Sequence, residues 1–397
     1  MDSDELHIAP PDPKTDREEM FDLISKVFSG NGYFDFLTAC RNSYIAGSHY
    51  DWGASLVGRL DGKIVTHWGV WGYDMRIGRS SVRVAGIGAV ATHGYYRKRG
   101  LMSRTAARAM PIMRDAGYDM TLLFGVHDYY DRFGYVRAYP SRTYIVAAEE
   151  LPTDKPSPRP RNIRRLPMGE MASVYNRGSA GMTGTAVRPT YRKAALQGGQ
   201  ECLLWRDAKG KLAGWVLIRG NTCVDQAGDP EQVLRVLGEL ARKRSWNEVR
   251  FAHLHFDTRL RKRITAGTCR SETHYTRSGG AMIRTLNLRR TLEKITPEIS
   301  SRLAASSLSG WRGTLSLRDA RERAVLRFNG KNVRIVDGPA GKNAVRGGEE
   351  VAQLLIGSDE PRALCEAAGM RTTGEAARLL DVIFPARHPC LAGADRF

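Results

Sequence analysis

The stretch from Val84 to Arg104, VAGIGAVATHGYYRKRGLMSR, decides the fold. Val84 to Thr92 is apolar and punctuated by glycine, and reads as a buried strand. A basic turn follows at Arg97, Lys98, Arg99 and Gly100, and then a helical pattern from Leu101 to Met113. Strand, basic glycine turn and helix together make a phosphate cradle. The first N–H groups of a helix have no partner within it, and the helix dipole favours an anion in front of them. Gly100 lets backbone come close to phosphate oxygens. Three neighbouring cations suit a pyrophosphate. Rival phosphate motifs fit worse: no G-x-x-x-x-G-K-[ST] occurs, and Gly86 and Gly88 run on into strand rather than helix, so the dinucleotide fingerprint fails.

Outward from this stretch, residues 16–28 and 36–45 read as short helices. Ala54 to Arg59 and Lys63 to Arg76 read as strands joined at Asp61-Gly62, a hairpin signal. The helix from Gly100 to about Asp115 ends at Ala116-Gly117, and Pro111 inside it predicts a kink or an early stop. Asp119 to Val126 is a buried strand, His127 to Phe133 a short helix or turn, and Tyr135 to Ala147 a returning strand. Residues 151–162, LPTDKPSPRPRN, are Pro-rich and polar and form the best linker. Beyond it, Cys202 to Trp205, Leu212 to Arg219 and Glu248 to His255 read as strands and Gln232 to Arg244 as an amphipathic helix. After residue 286, strands at Gly313 to Leu317, Ala324 to Phe328 and Asn332 to Val336 precede short helices at Gly348 to Ile356 and Glu360 to Ala368. The reading is an α/β (α+β) protein with three units: 1–150, 151–285 and 286–397.

The chain has 397 residues, 42% hydrophobic and 26% charged, ordinary for a globular protein of two or three domains. No apolar run of about 18 residues predicts a membrane helix. The acidic start, MDSDELHIAPPDPKTDREE, is unlike a signal peptide. The six cysteines are scattered without a C-x-x-C, which predicts reduced thiols and a cytoplasmic location. The net charge of +19 is uneven. Residues 1–150 balance 18 basic against 18 acidic side chains, whereas 151–300 hold 28 against 13. A basic middle suits a nucleic acid or a solvated face.

Arg97 to Met102 resembles the acyl-CoA pyrophosphate loop of the GNAT N-acetyltransferases, R/Q-x-x-G-x-G/A. Arg97 and Gly100 match, while Met102 stands where the pattern has Gly or Ala. Across the whole chain, the order of units resembles the enhanced-intracellular-survival (Eis-type) acetyltransferases. THGYYRKRGLM, DYYDRFGY and the ending LLDVIFPARHPCLAGADRF carry that likeness. It implies tandem GNAT folds with mixed central sheets. The first (1–150) would bind acetyl-CoA, the second (151–285) lacks the CoA turn, and 286–397 would be a sterol-carrier-protein-like domain donating the C-terminus. It also implies a hexamer.

The resemblance implies a chemistry as well. Acetyl-CoA would lie on the strand edge Val90, Ala91 and Thr92 and on the turn Arg97, Lys98, Arg99, Gly100, Leu101 and Met102. Tyr130 stands before x-R-F-G-[YF], where the family carries a tyrosine beside the departing sulfur, and a phenol with pKa near 10 holds a proton to give. Phe397 ends the chain with an aromatic residue whose α-carboxylate would reach the first active site, to hold the ammonium or take its proton. Arg396 next to it would weaken that base and repel a polycation.

Other candidates are weaker. His127 lies near Tyr130. His253 and His255 alternate along a predicted strand without a third ligand, so no metal is predicted. Trp68 and Trp71, with Phe34, Phe36 and Tyr44, line a cleft or fill a core. Asp16, Glu18, Glu19 and Asp22 attract a cationic amine or merely face solvent. The leading expectation is acetyl transfer to an aminoglycoside-like or lysine-like amine. A tRNA-dependent aminoacyl transferase and a non-catalytic CoA- or lipid-binding scaffold are the alternatives.

Overall fold

Lys63–Ile77 and Ser80–Thr92, buried on both faces over most of their length, build a long antiparallel hairpin, turned at Gly78 with φ +59°. The computed structural model describes residues 5–397 apart from 192–195, 197 and 277. Its first mixed sheet runs β1 (His7–Ala9), β2 (Leu56–Leu60), β3 (Lys63–Ile77), β4 (Ser80–Thr92), β5 (Met120–Gly125), β14 (Gly280–Thr285), β6 (Val136–Arg137). The second runs β13 (Arg270–His274), β7 (Ser141–Ala147), β12 (Glu248–Ala252), β11 (Thr222–Ala227), β10 (Leu212–Arg219), β9 (Gln200–Arg206), β8 (Arg161–Ile163). The third runs β17 (Val333–Val336), β16 (Arg323–Asn329), β15 (Arg312–Arg318), β18 (Ala344–Arg346), β19 (Arg371–Thr373).

The helices are α1 (Arg17–Val27), α2 (Tyr33–Ala39), α3 (Leu101–Asp115), α4 (Met168–Gly178), α5 (Pro230–Lys243), α6 (Arg259–Thr265), α7 (Leu288–Ala304), α8 (Val351–Ile356), α9 (Pro361–Ala367) and α10 (Ala376–Ile383). On one face of the first sheet, α3 packs Met102, Ala106 and Met113 against Trp68, Ile87 and Leu123. The other face meets α1 through Trp71, Ala89 and Ala91, and meets α7 and the third sheet through Val84, Leu122 and Ile283. No helix among the described residues is long and apolar enough to cross a membrane. All six cysteines are unpaired.

The sheets do not follow the boundaries at 150 and 285. Ser141–Ala147 joins the second sheet between β13 and β12, and Gly280–Thr285 joins the first between β5 and β6. Burial decides this: Tyr144 and Val146 sit in the second core, Met282 and Ile283 in the cores of the first sheet. The returning strand expected over Tyr135 to Ala147 is therefore two strands in two sheets. The Pro-rich linker lies along α5, where Arg242 donates to the Pro152 carbonyl and Gln232 to that of Pro158. Pro111 does not stop α3, because Pro111 and Ala107, whose carbonyl it frees, both face solvent. β12 stops at Ala252, before His253 turns the chain with φ +56°. The two histidines therefore do not share a strand face. His255 is buried and pairs through Nε2 with the Thr183 carbonyl, 2.9 Å away.

Candidate active site

β4 and β5 pair in parallel only from Val84↔Met120 to Ile87↔Leu123. β4 then continues to Thr92, while β5 stays with β14 to the pair Gly280↔Gly125. Gly88 to Thr92 thus border a gap in the sheet, and Val90, Ala91 and Thr92 lie along it. Within that edge the strand bulges. His67 pairs with Ala91 and Gly69 with Gly88, so Ala89 and Val90 together face Trp68. Ala89 takes φ +48°. A bulge of this kind bends and twists the strand away from its neighbour.

His67 holds the bulge. Its Nδ1 donates to the Ala89 carbonyl at 2.7 Å, and its Nε2 accepts from the Tyr50 hydroxyl at 2.8 Å. Accepting at Nε2 needs the neutral ring. Burial supplies it, lowering the His67 pKa to about 4. No spacing in the sequence marks His67.

The basic turn follows the gap. Arg97 Nε donates to the Thr92 carbonyl at 3.3 Å, Lys98 takes φ +64°, and Arg99 lies over the Tyr96 ring at 5.5 Å. Gly100 is the N-cap of α3, at φ +73°, with no side-chain cap and no acid in the first turn. A side chain there would be strained. Leu101 and Met102 bury their side chains, so what they offer at the turn is backbone N–H.

Tyr130 sits on the α3 side of the gap. Its ring packs against Tyr129 at 5.0 Å, Tyr135 at 6.2 Å and Trp68 at 6.4 Å. Gly125 ends β5 beneath it, and a Cβ there would lie 2.5 Å from the ring. Burial raises the phenol pKa above its ordinary value near 10, so it stays protonated at neutral pH. His127 is exposed and pairs with Asp128 at 2.7 Å, which leaves it as a surface residue.

Phe397 sits on the opposite face. Its ring packs on Tyr73 at 5.7 Å and Phe124 at 5.8 Å, above Gly86, where a Cβ would approach the ring to 2.4 Å. Its backbone carbonyl carbon lies 3.0 Å from where a Cβ on Gly88 would stand, beside the Tyr44 hydroxyl and Trp71. Gly86 and Gly88 are thus the floor for the last residue. The segment before it is tied down. Asp395 accepts two bonds from Arg188 Nε at 2.9 and 3.0 Å and one from Thr190 at 2.8 Å. Arg188 also grips Asp225 in a two-bond fork at 2.9 Å and lies 3.5 Å over the Tyr175 ring. Tyr191 donates to the Arg396 carbonyl. The hydrogen-bonded partners are 37 to 207 residues apart, so sequence reasoning had no spacing to find them by.

The cleft aromatics divide. Trp71, Tyr44 and Phe36 form a row of contacting rings leading to Phe397, with Tyr44–Trp71 tilted at 4.8 Å and Phe36–Tyr44 edge-on at 5.5 Å. Trp68 is core on the other face, and Phe34 is exposed. The first-helix acids are engaged internally: Asp16 with Arg59, Glu18 with Arg41, Glu19 with the Ile64 N–H, Asp22 with Lys26 and Tyr33.

No curated protein matches the chain in sequence. Among solved structures, a GCN5-related N-acetyltransferase from Anabaena variabilis superposes with a TM-score of 0.77 at 14% identity, covering 99% of this chain and 100% of that one. A probable N-acyltransferase from Enterococcus faecalis gives 0.76 at 16%, with the same coverage. Eis1 from Mycobacterium abscessus gives 0.66 at 14%, covering 98% and 100%. The three share this chain's fold. Residues 12–138, which hold the gap, the basic turn and Tyr130, match the acetyltransferase (GNAT) domain family.

Proposed function

We propose that this protein transfers the acetyl group of acetyl-CoA to a primary amine while both substrates are bound. One observation carries the reading: the gap beside Gly88 to Thr92 leads to a bare, basic helix N-terminus and lies between Tyr130 on one face and Phe397 on the other. The residues present fit the CoA group. The N–H groups of the first α3 turn and the cations Arg97, Lys98 and Arg99 hold its pyrophosphate, and the Val90–Thr92 edge offers backbone partners to its pantetheine arm. Bound there, acetyl-CoA supplies an activated thioester. The Phe397 α-carboxylate holds the ammonium and takes its proton through water, and the Tyr130 phenol gives a proton to the leaving sulfur.

In this reading the first sheet, with Gly280–Thr285, belongs to the catalytic unit, the second sheet, with Ser141–Ala147, to a second GNAT-like unit without a CoA turn, and 286–397 is a sterol-carrier-like unit that delivers the tail. The protein works in the cytoplasm as a homo-oligomer. A tRNA partner is disfavoured, since many middle-region arginines are paired: Arg206 with Glu170, Arg244 with Glu201, Arg250 with Glu248 and Glu272.

Thiol release from acetyl-CoA across a panel of amines tests the proposal. Amine-dependent release should fall at least about 100-fold in Tyr130→Phe and in a chain extended past Phe397, as expected for a lost general acid or base. Full activity of the extended chain removes the carboxylate from the mechanism. Tight CoA binding without release for any amine favours the scaffold alternative.

A further inference from the structure

On the acceptor face, one charge is left without a counter-charge. The Arg396 guanidinium lies 4.1 Å over the Phe124 ring, across the gap from Gly88 and next to Phe397. Its Nη2 donates to His253 Nδ1 at 3.0 Å, and its Nε is buried without a hydrogen-bond partner. Burial and the guanidinium itself keep His253 neutral, with its pKa lowered to about 4. Among the described residues no carboxylate is within ion-pair reach of Arg396. Asp395, its neighbour in sequence, turns away into Arg188 and Thr190. The acids of α1 that would draw a cation are all engaged elsewhere.

A partly exposed guanidinium whose Nε donor is unused, stacked on an aromatic ring, suits a carboxylate, whose two oxygens accept side by side from Nε and the neighbouring Nη2. We propose that the acceptor is an amine that also bears a carboxylate, bound by Arg396 over Phe124 while its ammonium reaches the Phe397 carboxylate. This rests on the acetyl-transfer reading. It makes a polycationic acceptor the disfavoured one, because such a substrate would bring a second cation against Arg396.

The experiment uses the full chain and compares kcat/KM for ω-amino carboxylates of two to six carbons, their carboxamides, diamines of equal length and ω-aminoalkyl phosphates. The expected result is a preference for the carboxylate over its carboxamide of about 10- to 100-fold, the range for a hydrogen bond to a charged group. The difference should lie mainly in KM. Arg396→Gln should bring that ratio to about one, and Arg396→Glu should invert it toward the diamine, in protein whose thermal midpoint matches wild type. Robust release with diamines and none of this preference in wild type overturns the inference and leaves acetyl transfer standing. A preference for the aminoalkyl phosphate overturns the choice of carboxylate. Absence of release with every amine overturns both.

Discussion

Two openings in this molecule begin alike and end differently. In the first sheet β4 and β5 part after Ile87↔Leu123; in the second, β11 and β12 pair in parallel at Thr222↔Arg250 and Cys223↔Phe251 and then part. Each opening is followed by a helix. The first, α3, starts at Gly100, uncapped and without acid in its first turn. The second, α5, starts at Asp229, whose carboxylate accepts the Gln232 N–H, with Pro230 and Glu231 in its first turn. A carboxylate already neutralises that helix end and would repel a phosphate. The second opening is also occupied by the chain itself. Gly393 packs against the Val224 carbonyl and His253, and Asp395 reaches Arg188 beside Asp225. What remains is a cavity of 140 Å³, below the size of ligand pockets in general. In the proposed reading, parting strands alone do not make a phosphate site; the chemistry of the following helix end and the path of the tail decide.

The largest effect expected from breaking this contrast is at Arg188. Arg188→Leu leaves Asp225 and Asp395 buried without a counter-charge, which should cost about 3–5 kcal/mol in denaturant unfolding. It should also loosen Phe397 in the first opening. Gly86→Val comes next. Its side chain would occupy the Phe397 ring position, and a misplacement of about 1 Å at a reacting group costs on the order of 100-fold in turnover. Acetyl-CoA affinity, which the proposal assigns to the turn, should change far less.

Smaller is the response to acid. His67 behind the first opening and His253 at the end of the second both have folded pKa values lowered to about 4, from 6.5. The unfolded chain then binds more protons between those values, so stability is full above about pH 6.5 and is lost as pH falls toward 4, on the order of 3 kcal/mol per buried ring. Unfolding free energies from pH 7 to 4.5 should show this slope, and His67→Gln should reduce it. The smallest pair sharpens the comparison directly. Gly100→Val should cost about 1–2 kcal/mol through its left-handed backbone and raise the KM for acetyl-CoA. Asp229→Ala should cost about 1 kcal/mol of stability through its lost cap and leave that KM alone.

Much of the first opening was legible in sequence, because strand, turn and helix are contiguous from Val84 to Met113 and their periodicity is local. The Asp61-Gly62 hairpin was legible for the same reason, with both residues at positive φ. The strand exchange was not, since Ser141–Ala147 and Gly280–Thr285 have the pattern of strands but nothing in them says which sheet they join. His67 looked like one polar residue in an apolar strand, and its role depends on a bulge 22 residues away. Arg188, Asp225 and Asp395 stand far apart in sequence with no motif among them, and only the fold brings them together.

The central claim is that the first opening takes acetyl-CoA and the second does not. Titration calorimetry of acetyl-CoA into the full chain tests it most directly, beside a triple reversal of Arg97, Lys98 and Arg99 to Glu and beside Asp229→Asn. The account predicts one site per chain, lost in the triple reversal and unchanged by Asp229→Asn. Two sites per chain, or one site that survives the triple reversal, would contradict it.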